Sequence, residues 1–564
     1  MKQKLLSIIF VLTCLIGHSF AQNRQVSGTV TSASEGTPII GASIAVVGST
    51  AATQTDNSGK YTISVPSGEV SLSFSYIGFQ TQRIAVSNQS VVNVQLTNDE
   101  ATLEEVVVTA MGIERTAKSM GYGTTRVDPD DLLQNSEPDL LKSLQGKVAG
   151  VDIRTSQGTP GAATRFQVRG NSSFFGDNQP LIIVDGVPFD NTMAETSSMT
   201  SGGAAYSSGI SNLDPNDIAS MSVLKGSAAA ALYGSRASNG AVIITTKSGS
   251  TKLDQPTAVT LRSSVSLENV ANLPEYQNSY GAGSQFGYSN SNGSWGPHFN
   301  NLDSIPTWPT YLDAYPGMFG SKVPYQAYPT NVKDLFNTGV VWENSINFAG
   351  GSTKTGFNVT LSQMDHKGYV PNSSFKRYNV SAGGNMKVSE KFNVRGNLTF
   401  SNSNQVGGYF GENQVDGAAS SFARSLFLAR NWDGSLPWQT IDGDNLNWLG
   451  GGQFDHPMWS AYNNYATTLE NRVSTSFGAD YQILDWWKVD YSLGANLSFL
   501  DRKEVYERSS RAYEGLGGLV TDQRNHRELE STLKTTLTPK ITDDISFIGV
   551  IGFNYNQRVT DRVI

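Results

Sequence analysis

The 564 residues include 56 glycines and 10% aromatics but only 38% hydrophobic side chains, a balance that favours turn-rich β-structure over helical bundles. A formal charge of −8 with no basic patch argues against a nucleic-acid partner. The single cysteine, Cys14, leaves the rest of the chain without disulfide or thiolate chemistry.

At the N-terminus, Lys2 and Lys4 precede an apolar run from Leu5 to Ile16 and the small-residue pattern Ser19, Phe20, Ala21. Residues 1–21 read as a secretory signal peptide cleaved after Ala21, since the run falls short of the roughly 20 residues a spanning helix needs. No later stretch approaches 18 continuous apolar residues. An exported chain of this kind enters a membrane only as a barrel of alternating strands, because only closed barrels and helices satisfy every backbone group in lipid.

Residues 22–98 read as short strands between turns: Gln25–Val30, Ala42–Gly48, Tyr61–Val65, Ser71–Tyr76, Gln82–Val86 and Val91–Leu96. The spacing predicts a small Ig-like or transthyretin-like β-sandwich. Asp56, Asn57, Ser58 and Gly59 predict a tight turn, a reading preferred to a calcium site at Asp56 and Ser58. The order Val26-Ser-Gly-Thr-Val30, Pro38, Gly41-Ala42, Thr55-Asp56, Gly59-Lys60-Tyr61 and Tyr76-Ile77-Gly78-Phe79 resembles the carboxypeptidase-regulatory-like domain. That module carries no zinc site, and this stretch has no histidine.

Residues 99–126 form a bridge containing Glu104, Glu105, Val106, Val107, Val108, Thr109 and Ala110. Taken alone this is an exposed, β-prone segment.

In residues 127–250, Ser136 to Asp139 predict the cap of a short helix bearing Leu140, Leu141 and Leu144, with Gly146 past its end. Leu181 to Val184 and Ala241 to Ile244 are short apolar runs, as in strands covered on both faces. Asp217 is read as the cap of a helix carrying Ile218, Met221 and Leu224, and Ser227 as the start of another ending at Gly234. Arg169 and Arg236 are read as ties within the domain or to a surrounding wall, in preference to ligand contacts. The strings Leu144-Gln-Gly-Lys-Val-Ala-Gly-Val151, Phe166-Gln-Val-Arg-Gly170, Pro180-Leu-Ile-Ile-Val-Asp-Gly-Val-Pro188, Leu213 to Gly226 and Ala231 to Lys247 occur in order. They resemble the mixed α/β plug domain of SusC/RagA-like TonB-dependent outer-membrane transporters, apart from Ser238 where the family usually has alanine.

From residue 251 onward alternation takes over. Phe357, Val359 and Leu361 share one face and Asn358, Thr360 and Ser362 the other; Val473 to Tyr481 and Trp487 to Phe499 alternate similarly. Residues 251–564 therefore predict about ten staves of roughly ten residues each in an antiparallel transmembrane β-barrel. Val388 to Phe392 and Thr538 to Asp544 predict tight turns, and 270–337 and 404–468 long loops. Plugged barrels of this kind have about 22 strands, so the expected barrel is incomplete, as in a truncated chain, a split gene or an N-terminal fragment.

The loops hold Trp295, Trp308, Tyr311, Trp432, Trp438 and Trp448, candidates for stacking on a sugar or gripping a peptide, although individually such rings more often pack loop on loop. Asp442, Asp444 and Asn445 offer a weak cation reading. His298, His366, His456 and His526 lack metal spacing, and no nucleophile-elbow, P-loop or zincin motif occurs, so neither an enzyme nor a cofactor is expected.

The resemblance implies more. Residues 104–110 fall where such transporters carry the Ton box, captured by TonB through strand addition and powered through ExbB and ExbD. It further implies a SusD-like lipoprotein over the barrel mouth, an oligosaccharide or peptide cargo, an outer-membrane location and a periplasmic sandwich. The alternative reading is an adhesin or binding scaffold without active transport.

Overall fold

The protein was analysed as a computed structural model. It describes residues 24–564 apart from 98–105, 109–113, 117–123, 133–139, 172–177, 193–205, 249–254, 410–418, 448–453, 543–546 and scattered positions of one or two residues. The leader, the helix cap at 136–139 and most of the 104–110 segment thus lie outside the described residues. Packing divides the chain into two units, the first running to Val107 with residues 115–120, the second holding residues 108–114 and 121–564.

The first unit is a two-layer sandwich. Arg24–Ser32 lies between Lys60–Val65 and Val94–Leu96 in one sheet; Ala52–Gln54, Ser43–Val46, Val70–Ser75 and Gln82–Val86 make the other. Alternation within these strands sends Val26, Ile44, Ile63, Leu72, Phe74 and Val94 into one core. The strand Ala52–Gln54 was not apparent from sequence; it is only three residues long, an edge strand held by Ser43–Val46. The Asp56 turn forms through its own side chain, whose Oδ1 accepts from Ser58 N at 2.8 Å and Lys60 N at 2.9 Å. These bonds hold the Asp56 carboxyl below its usual range.

The plug, residues 124–248, is built on a five-stranded sheet ordered Thr124–Val127, Ile218–Leu224, Ala241–Thr246, Leu181–Val184, Val187–Phe189. Leu181–Val184 and Ala241–Thr246 pair in parallel at its centre, buried on both sides as their apolar runs require. Ile218–Leu224 is a strand, not the helix expected from its sequence. Asp214, not Asp217, does the capping, accepting from Asn216 N at 2.9 Å over a single 3-10 turn, Pro215–Asp217. Antiparallel partners on both sides then hold the next seven residues extended. Leu140, Leu141 and Leu144 are buried, the last on the 3-10 turn Lys142–Leu144, with Gly146 at φ 78°.

Nine antiparallel staves follow, each paired with the next: Gln255–Glu268, Gly339–Gly351, Thr355–Lys367, Ser374–Ser389, Phe392–Gly408, Tyr465–Leu484, Trp487–Tyr506, Gly518–Leu537 and Gly549–Val563. Among the described residues there are nine staves where about ten were expected, and they run 13 to 20 residues instead of ten. At about 3.3 Å per residue the longest reach about 66 Å, well past a hydrocarbon layer of about 30 Å. Outward residues on the overhang can therefore be charged, as in the 3.3 Å Lys376–Asp365 pair next to Tyr378. The alternation is as read: Phe357 and Leu361 are each 40% exposed while Asn358 and Thr360 are buried. Short links at 352–354, 390–391 and 485–486 lie at one end of the sheet and the long loops 269–338 and 409–464 at the other.

Candidate functional site

The inward face of the staves is polar because every second residue is, and the plug fills it. Plug segment 206–217 is hydrogen-bonded to that face at several points, and many of those bonds run through its backbone. Arg377 on the fourth stave donates from Nη1 to the carbonyls of Ser211 and Leu213, both at 2.9 Å. Asn379, two residues on and so on the same face, donates to Asn212 O at 2.7 Å. Asn212 Nδ2 donates to Glu470 at 2.8 Å, and Asn216 Nδ2 to Glu343 at 3.0 Å. Tyr206 bonds Glu504 through its hydroxyl and lies beneath the Arg502 guanidinium at 3.5 Å from the ring centre.

These contacts satisfy groups that would otherwise be stranded. Leaving a buried carbonyl unpaired costs about 1–3 kcal/mol, so segment 206–217 and the wall need each other. Arg236 is a tie to the wall, as its sequence reading held, with Nη1 2.7 Å from Glu528 Oε1. Arg169 is exposed at φ 60°, its guanidinium over Gly226, where a Cβ would meet Nη1 at 3.0 Å.

Acidic groups crowd the same interface. Burial, with the neighbouring Asp214 and Asp185 charges, pushes the Asp217 carboxyl up to about 7 against the opposing hydrogen bond from Ser381. Lys247 sits close by but donates to Asn216 O at 2.6 Å. Sequence reasoning did not single out Asp214, Asp217 or Glu343 as a set, since the carboxylates come from elements more than 120 residues apart.

The loops at the long-link end form a core of their own. Ile305, Trp308, Tyr311, Tyr325, Leu428, Trp432 and Leu446 are buried together. Trp308, Tyr311 and Trp432 are thus loop-packing residues, at 5%, 0% and 1% exposure, and offer no face to a ligand. The ring surface that could meet a ligand is consumed by neighbouring rings, with Trp308 and Tyr311 centred 5.5 Å apart. Trp295 is 71% exposed, Trp438 stacks on Tyr462 at 5.7 Å, and Trp448 lies outside the described residues. Asn445 donates to Asp455 at 2.7 Å, which makes it a loop tie. Among the described residues no group of three or more His, Cys, Asp or Glu side chains is placed to hold a metal ion. Within 104–110, Val106–Val108 is a short strand in a two-stranded sheet with Glu114–Thr116.

Known proteins fit this geometry. Residues 26–108 match the CarboxypepD_reg-like domain and residues 116–241 the TonB-dependent Receptor Plug Domain. The chain is 28% identical over 569 residues to TonB-dependent receptor P3 of Formosa agariphila, covering 98% of this chain and 50% of that protein. It is 31% identical over 457 residues to TonB-dependent receptor SusC of Bacteroides thetaiotaomicron, covering 79% of this chain and 40% of that protein. The chain therefore spans half or less of the length of these curated relatives. In fold it resembles the RagAB peptide importer in its open-open state, with a TM-score of 0.63 at 20% identity over 81% of this chain and 49% of that one. The closed-closed state of the same importer gives 0.61 at 19% identity, over 79% of this chain and 48% of that one.

Proposed function

The chain is a SusC/RagA-like TonB-dependent receptor sequence, and on that premise we propose that it serves active import of oligosaccharides or peptides across the outer membrane. The sandwich lies in the periplasm, the long loops face outward, and a SusD-like lipoprotein covers them. TonB, powered through ExbB and ExbD, takes Glu104 to Ala110 by adding a strand to Val106–Val108. Backbone pairing of this sort needs β-branched residues more than a strict code, which suits three consecutive valines.

The observation that carries the reading is the seating of segment 206–217. It is held by hydrogen bonds and an ion pair to polar side chains of the wall. Water can replace such contacts one at a time, so a pull from the periplasm can free the segment without unfolding the barrel. An adhesin has no use for a removable filling. Deleting residues 104–110 from the full-length receptor separates the two readings: import is lost in the first, and surface binding persists unchanged in the second. Trp295, Trp438 and Trp448 are the aromatic residues of the loops proposed to meet cargo.

A further inference from the structure

The turn between the third and fourth staves, residues 368–373, touches plug and outer loops at once. On the plug side a Cβ on Gly158 would lie 1.7 Å from the Tyr369 hydroxyl oxygen, and a Cβ on Gly368 would lie 2.6 Å from Pro160 Cγ. The Tyr369 side chain thus lies against Gly158 and the Pro160 ring against Gly368, so turn and plug meet at contact distance. Gln405 on the fifth stave fixes the same plug turn, with Nε2 donating to Pro160 O at 2.9 Å and Oε1 accepting from Ser207 N at 2.8 Å.

On the other side the turn is tied to the loop core. Asn337 N donates to Tyr369 O at 2.8 Å, and Asn372 Nδ2 donates to Ala461 O at 3.0 Å. Val370 and Pro371 line a small apolar cavity with Phe336, Pro457, Met458 and Ala461. The turn itself is braced, with Gly368 N donating to Ser373 O at 2.9 Å and Ser373 Oγ to Val370 O at 2.6 Å. Asn372 sits at φ 53°, which asparagine tolerates better than most residues. A short stiff element with partners on opposite sides transmits displacement, whereas the cavity on its outer flank gives the loop core room to move against it.

We propose that residues 368–373 are a mechanical coupler, with Tyr369 and Asn372 as positioning residues, through which the outer-loop core sets the position of plug residues 158–161. Its purpose in transport rests on the import reading above; the coupling itself does not. Amide hydrogen exchange on the full-length receptor in detergent tests it without substrate or TonB. Asn372→Gly keeps the backbone angle and removes only the bond to Ala461. With coupling, amides of residues 158–166 exchange roughly fivefold to tenfold faster in this variant, although the bond removed lies on the loop side.

A second arm uses Tyr369→Phe, which removes only the hydroxyl lying against Gly158. With coupling, exchange across residues 458–463 rises by a similar factor in this variant. Changes confined to residues 368–373 in either variant overturn the proposal. Either result leaves the import reading untouched, since that reading stands or falls with the deletion of residues 104–110.

Discussion

Arg377, 1% exposed on the fourth stave, grips Leu213 of the plug by its backbone carbonyl, with Nη1 and O 2.9 Å apart. The same nitrogen holds Ser211 O, so one guanidinium fixes both ends of the 211–213 turn regardless of the plug side chains there. Arg377→Ala would strand two buried carbonyls and leave Glu343 and Asp214, 4.0 and 3.9 Å from the guanidinium, without their shared cation. The expected loss of plug seating is about 3–5 kcal/mol. Protease sensitivity of the plug in urea measures it, and an unchanged midpoint would count against the interface described.

Val107→Pro should abolish uptake while membrane insertion and protein level stay normal. Proline lacks the N–H that a captured strand must offer and breaks the pairing of a three-residue strand. Wild-type uptake at equal receptor level would remove residues 104–110 from the proposed TonB contact.

The sandwich should fold by itself. Residues 22–98 expressed alone should give a cooperatively melting β-domain, because among the described residues its core runs from Val26 to Leu96. In that module Gly28→Ala should lower stability by more than about 2 kcal/mol, since a Cβ there would lie 1.8 Å from Val92 O. A disordered circular-dichroism spectrum from the parent module would contradict the boundary.

The outer loops should loosen in acid. His456 caps the helix Pro457–Asn463, its Nδ1 accepting from Met458 N at 3.1 Å, and burial lowers its pKa from 6.5 to about 3. Between those values the unfolded loop takes up a proton that the folded loop refuses, so stability falls as pH drops from 6.5 toward 3. Burial holds the adjacent Asp455 carboxyl up, which works in the opposite sense. His456→Asn keeps a capping side chain and removes only the histidine contribution. Exchange at residues 457–463 should therefore rise less steeply below pH 6 in the variant; identical pH profiles would refute the assignment.

Two tryptophans should behave differently. Trp432→Ala should cost the loop core about 3–5 kcal/mol, whereas Trp295→Ala should leave its melting unchanged and weaken cargo retention only. Equal effects on melting would show that exposure does not separate the two roles.

Much of this protein was readable from the sequence because the relevant signals are local. Period-two alternation such as Phe357, Val359, Leu361 against Asn358 and Thr360 assigns each residue to lipid or lumen from strand geometry alone. The apolar runs Leu181–Val184 and Ala241–Ile244 announce a doubly covered sheet for the same reason, since no face needs polarity. Ile218, Met221 and Leu224 marked the limit: three-residue spacing fits a helix equally well, and only the strands Thr124–Val127 and Ala241–Thr246, brought alongside by the fold, make the segment extended. Burial of Trp308 and Trp432 likewise depended on loops joined across more than 100 residues. The pairing of Arg377 with the carbonyls of 211–213 is beyond any sequence pattern, because a backbone acceptor leaves no trace in residue identity and its partner arrives only when plug and wall meet.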